Sequence, residues 1–137
     1  MMFNRKLVVF MVVALFTVAG GVLTASASCW YSTIATVDGY LSGSGDEDLW
    51  SIQLTQNVRY NFRLTVAYGD DFDIWVYYKI WNGFEYEKRY VAMGIEGSGA
   101  DESVYFTAPR NTKYYIEVES WVGRGSYTLT LRRRFCN

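Results

Sequence analysis

Between Val58 and Val66 the chain alternates with period two. Tyr60, Phe62, Leu64 and Val66 fall on one side, and Arg59, Asn61, Arg63 and Thr65 on the other. A strand turns successive side chains to opposite faces, so this run fits a sheet with one face buried and one face wet. The pattern recurs. Trp50, Ile52 and Leu54 alternate with Ser51 and Gln53; Tyr114, Ile116 and Val118 with Tyr115, Glu117 and Glu119; Tyr127, Leu129 and Leu131 with Thr128, Thr130 and Arg132. β-branched and aromatic residues fill these runs, as half-buried strands prefer. Turn signals separate them: Asp38-Gly39, 42–46, 68–71, Asn82-Gly83, 96–101, 109–112 and 123–125. Asn82-Gly83, between Trp81 and Phe84, predicts a type I′ hairpin, whose two central residues both take positive φ. Strands are expected near 30–37, 48–55, 58–67, 72–81, 84–92, 102–107, 113–121 and 125–135. Short strands at this spacing predict an all-β chain of about eight strands, an antiparallel sandwich or barrel.

The first 27 residues read differently. Arg5 and Lys6 precede an apolar run from Leu7 to Leu23, and Ala25-Ser26-Ala27 is a small-x-small cleavage pattern. This is the grammar of a secretory signal peptide, predicting a secreted domain over 28–137 with no membrane anchor after cleavage. An uncleaved anchor is the alternative. A lipoprotein leader would carry Leu three residues before Cys29, where Ser26 stands. The two cysteines, Cys29 and Cys136, lie at the two ends of that domain, and outside the cell an even count predicts a disulfide between them.

Composition narrows the chemistry. Removing Arg5 and Lys6 from the 13 basic residues leaves 11 against 14 acidic ones, a formal charge of −3 for the remainder. That balance does not fit nucleic acid. The run Arg132-Arg133-Arg134 is expected to divide its side chains between the two faces of a terminal strand. There is no histidine, which removes Ser-His and Cys-His nucleophile arrangements and the commonest general base. The chain is therefore expected not to be an enzyme. Two acid clusters open strands: Asp46, Glu47 and Asp48 before Leu49-Trp50, and Asp70, Asp71 and Asp73 around Phe72. Asp46, Asp48, Asp71 and Asp73 can be read as calcium ligands converging at one end of the sandwich. They can also be read as turn-capping aspartates beside glycine, the blander reading. No cofactor is otherwise called for. The run 72–81 is apolar on both faces. If Ile74, Val76, Tyr78 and Ile80 fill the core, Trp75, Tyr77 and Trp81 face outward, and Phe84, Tyr86 and Tyr90 share one face of the next strand. An outward aromatic surface of this kind stacks on sugar rings or docks a protein.

The ordered series "DGYLSGSGDEDLWSIQL", "VRYNFRLTV", "DDFDIWVYY", "ESVYFTAP", "KYYIEVES" and "GRGSYTLTL" resembles the bacterial pre-peptidase C-terminal (PPC) domain. Asp48, Trp50 and Ile52 match its acid-x-aromatic strand; Asp73, Ile74 and Val76 its second acid-led strand. Tyr114-Tyr115 and Gly125, Tyr127 and Leu129 match its closing elements. The resemblance covers about residues 38–131. It implies a jelly-roll-like β-sandwich and a secreted, non-catalytic accessory domain, related to the calcium-binding collagen-binding domains of clostridial collagenases. Cys29, Trp30 and Tyr31 stand where those domains carry an acidic, calcium-ligating linker. The expected function is a secreted binding module contacting extracellular polysaccharide or protein. The alternatives are a self-associating structural subunit of a surface assembly or filament, and an inhibitor or chaperone of a secreted protease.

Overall fold

A computed structural model describes residues 26–95 and 101–137. Most of the expected leader and the turn at 96–100 lie outside the described residues. The rest forms eight strands: β1 (Cys29–Leu41), β2 (Glu47–Leu54), β3 (Arg59–Val66), β4 (Asp71–Trp81), β5 (Tyr86–Gly94), β6 (Glu102–Thr107), β7 (Thr112–Val122) and β8 (Gly125–Cys136). They build two four-stranded sheets, in the orders β1-β8-β3-β6 and β2-β7-β4-β5. Every pairing is antiparallel. The first strand lies beside the eighth, the second beside the seventh, the third beside the sixth and the fourth beside the fifth. The chain is thus one long hairpin folded over on itself, which is the jelly-roll winding. The expected all-β sandwich of about eight strands is the fold observed.

The core follows the alternation. Tyr60, Phe62 and Leu64 of β3 and Leu129 and Leu131 of β8 face Phe72, Ile74 and Val76 of β4 and Tyr114, Ile116 and Val118 of β7, all buried. Two local turn signals mislead. Asp38-Gly39 is not a turn but the end of a long first strand, paired with Thr128 and Tyr127. Glycine stands there because a Cβ at position 39 would fall 2.2 Å from the Tyr127 ring, which crosses that point. Asn82-Gly83 does join a hairpin, but not as a type I′ turn: of the two residues only Gly83 has positive φ. Asn82 Oδ1 instead accepts the N–H groups of Phe84 (2.9 Å) and Glu85 (2.8 Å), closing a four-residue loop. The expected strand at 84–92 consequently begins at Tyr86, and Phe84 belongs to the loop tip. The expected disulfide is present. Cys29 pairs with Cys136 directly across β1 and β8, with 4.2 Å between Cα atoms.

Candidate functional site

The acid clusters do come to the same end of one sheet, because the openings of β2 and β4 both flank the end of β7. Glu47 and Asp73 lie on either side of Glu119, and Asp48 is opposite Val118. They do not share a site. Asp48 has the parity of the inward residues Trp50 and Ile52, whereas Asp73 has the parity of the outward Trp75. Asp46 is held in its own turn, where Oδ2 accepts from Ser42 N–H (2.7 Å) and Ser42 Oγ (2.8 Å). The backbone bond from Ser42, then its side-chain bond, keep the Asp46 carboxyl below the usual range. Among the described residues no group of three or more His, Cys, Asp or Glu side chains is placed to hold a metal ion.

Asp48 has a different partner. Tyr127, reaching across from the other sheet, donates its hydroxyl to Asp48 Oδ2 at 2.6 Å and accepts Trp50 Nε1–H at 2.7 Å. Burial, then the bond to Asp48, push the Tyr127 hydroxyl well above its ordinary pKa. Asp48 and Trp50 are two apart on one strand face, so one hydroxyl from the facing sheet serves both. This chain of hydrogen bonds is an inter-sheet clamp.

Asp73 is the strained acid. It faces outward beside Glu119, with Asp71 on the same strand. Burial, then the charges of Asp71 and Glu119, raise its pKa. A carboxyl whose folded pKa lies above its unfolded value binds its proton more tightly in the folded state. Its repulsion therefore acts in full above the folded pKa and vanishes below the unfolded one. Asp73→Asn is expected to raise the melting temperature at pH 7 by about 1–4 °C. The gain should be gone below about pH 3. Equal melting at pH 7 would show that the acid row exerts no repulsion.

The aromatic residues assemble on the outer face of the β2-β7-β4-β5 sheet. Tyr115, Tyr77 and Tyr90 form one row across β7, β4 and β5, with ring centroids 5.4 Å apart at both steps. Trp75 packs edge-on against Tyr90 on one side of the row. On the other side Lys79 and Lys88 are directly opposite each other. Their like charges are accommodated by rings: Lys88 Nζ lies 4.5 Å from the Tyr77 centroid and Lys79 Nζ 4.6 Å from that of Tyr115. Lys88 also pairs with Glu117 at 3.3 Å. Burial works to lower its pKa, but the hydrogen bond and charge of Glu117 outweigh that and hold the ammonium firmly protonated. Trp81 and Tyr86 close the strip at the hairpin end, 5.1 Å apart and edge-to-face. From Trp75 to Trp81 it runs about 20 Å along β4. Lys79, Tyr86, Thr112, Lys113 and Tyr115 line a shallow depression of ≈ 400 Å³ beside it.

Of the six aromatics expected to meet a ligand, Trp81, Phe84, Tyr86 and Tyr90 are exposed, at 55%, 86%, 68% and 50%. Trp75 is half-buried. Tyr77 departs from the expectation: it does face outward, but it is only 2% exposed. Tyr90, Tyr115 and Lys88 cover it, so it is the floor of the strip and not a contact. Lys79, Lys88 and Tyr115 were not legible as site residues, because only the register of three strands brings them beside Tyr77.

No protein-family model matches the chain, and no curated protein matches its sequence. Among solved structures it is similar to Aeromonas hydrophila PliG, a periplasmic lysozyme inhibitor of g-type lysozyme. The TM-score is 0.54 at 12% identity, over 72% of this chain and 84% of that one. It is also similar to the CBM22-1–GH10 modules of Clostridium thermocellum endo-1,4-β-D-xylanase 10B in complex with xylohexaose, with TM-score 0.41 and 14% identity, over 77% of this chain and 26% of that one. The likeness to PliG shows the β-sandwich fold alone.

Proposed function

We propose that the protein is an exported, non-catalytic binding module that holds an extracellular polysaccharide on the outer aromatic strip of β7, β4 and β5. One observation carries this reading. Trp81, Tyr86 and Tyr90 stay exposed beside Lys79 and Lys88, Tyr90 resting on the buried ring of Tyr77 and Trp81 packing edge-to-face with Tyr86. Rings held in place on a flat sheet lose little freedom on binding, and their faces suit the apolar faces of sugars. The disulfide fits an oxidising compartment outside the cytoplasm. A non-catalytic role is supported by the lack of histidine and by the carboxylates themselves. Asp46 is engaged in its own turn and Asp48 in the inter-sheet clamp.

A second reading, inhibition of a secreted enzyme, is favoured by the β4–β5 loop. Phe84 stands at its tip, and the loop is fixed by the two bonds to Asn82 Oδ1. A rigid loop that presents one aromatic can enter an enzyme cleft with little ordering cost. Affinity electrophoresis against neutral polysaccharides, with a parallel inhibition assay on g-type lysozyme and secreted proteases, separates the two. The expected result is retardation by at least one polysaccharide and no inhibition. Inhibition that is lost in Phe84→Ala, without retardation by any polysaccharide, would establish the second reading instead. Mass that grows with concentration in light scattering would point to the self-associating alternative.

A further inference from the structure

We infer that the opposite face of the sandwich, the outer surface of β1-β8-β3-β6, is a second binding surface, one that recognises an acidic polysaccharide through anchored guanidinium groups. Alternation divides the run 132–134 as expected. Arg132 and Arg134 face outward, while Arg133 lies over the Phe135 ring, 5.2 Å from its centroid. Sheet register then adds what the run alone lacks. Asn61 lies opposite Arg132 and Tyr31 opposite Arg134. The pairing of Tyr60 with Arg133 puts Arg59 in the same row as Arg134.

Two of these arginines are held through the nitrogen nearest the stem. Arg59 Nε–H donates to the Tyr31 hydroxyl at 3.1 Å, and Arg132 Nε–H donates to Asn61 Oδ1 at 2.8 Å. Asn61 is fully buried, and its amide nitrogen donates to Ser103 Oγ (3.0 Å) and the Val104 carbonyl (3.1 Å). Its oxygen is thereby aimed at Arg132. Ring contacts complete the support. The guanidinium carbon of Arg132 lies 5.9 Å from the Tyr31 centroid and that of Arg59 6.0 Å from the Tyr105 centroid, and the two tyrosines pack edge-to-face at 5.6 Å.

Anchoring through Nε leaves the two terminal nitrogens of each fork with no partner among the described residues. Arg59, Arg132 and Arg134 form no ion pair there either. The acids of this face are already engaged: Asp101 binds Arg63 at 2.8 Å and Asp38 accepts from Thr128 at 2.7 Å. A planar fork held in advance binds a carboxylate or sulfate with two parallel hydrogen bonds. The rings of Tyr31 and Tyr105 beside such forks suit a polymer that alternates anions with sugar rings. Duplex nucleic acid carries a charge about every 1.7 Å, too dense for three arginines on a chain whose own charge is negative.

The test is calorimetric titration of the full domain with polygalacturonate and with dextran sulfate, against neutral dextran and duplex DNA, at several salt concentrations. At least one acidic polysaccharide should bind, more weakly as salt rises, and neutral dextran should not compete. Arg59→Gln and Arg134→Gln should each weaken binding about tenfold, with unchanged melting. Arg132→Lys keeps the charge but loses both anchor and fork, and should weaken binding as much. Gln53→Ala, at an exposed position of β2 on the other sheet, should change nothing. Failure to bind either acidic polymer at low salt would overturn the proposal. So would DNA binding as tight as theirs, or full affinity in Arg132→Lys.

Discussion

Replacing both cysteines, as Cys29→Ser with Cys136→Ser, is expected to cost about 4–5 kcal/mol of stability. The bridge joins residues 107 apart, so it removes from the unfolded chain almost all the freedom of the domain's ends. The corresponding drop in melting temperature is roughly 15–30 °C for a domain of this size. The bond also sits at the last rung of the β1–β8 pairing, where Cys29 faces Cys136. Its loss therefore frees the strand ends that carry Trp30 and Phe135, whose rings stack at 6.1 Å. Urea unfolding of the double variant and of the reduced wild type should agree. A cost under about 1 kcal/mol would mean that the long first strand is held by its ladder and packing alone.

The second large effect is expected at Tyr127. Tyr127→Phe keeps the ring in the core but deletes the hydroxyl that joins Trp50 to Asp48. Two partly buried groups then lose their partner, and one of them is a carboxylate. The expected cost is about 2–4 kcal/mol, since a charged group stripped of its hydrogen bond loses more than a neutral one. Asp48→Asn should cost less, because the amide oxygen still accepts from Tyr127. Calcium should leave the melting of both variants where it is, since the clamp is made of protein groups. A calcium-dependent rise in wild type that disappears in Asp48→Asn would show that the carboxylate serves a cation instead.

The strand run at Val58–Val66 was legible because its alternation is undisturbed, and β3 occupies Arg59–Val66. Asp38-Gly39 was not. The dipeptide looks like any turn, and the reason for its glycine is the ring of Tyr127, far along the chain. The parity of the acids was in plain view. Asp48 shares a face with Trp50 and Ile52, and Asp73 shares one with Trp75, so the two clusters reach one end of the sheet without meeting. The fate of Tyr77 was hidden for the opposite reason. Its outward direction follows from parity, but its cover comes from Tyr90, Tyr115 and Lys88, which no local pattern places beside it. The basic run shows the same limit. Alternation predicted that its arginines would part, and only sheet register returns Arg59 to the row of Arg134.

The central claim is that the strip between Trp75 and the β4–β5 loop binds a ligand with rings that the fold does not need. The most direct test is to measure affinity and melting temperature together in Trp81→Ala and Tyr86→Ala, using the polysaccharide that retards the wild type most. Both residues are more than half exposed. Each variant is expected to weaken binding at least tenfold, about 1.4 kcal/mol or more. The melting temperature should move by no more than about 2–4 °C, as for a surface change within roughly 0.5 kcal/mol. Unchanged affinity in both would contradict the account. So would a stability loss of about 3–5 kcal/mol, the cost of truncating a core aromatic.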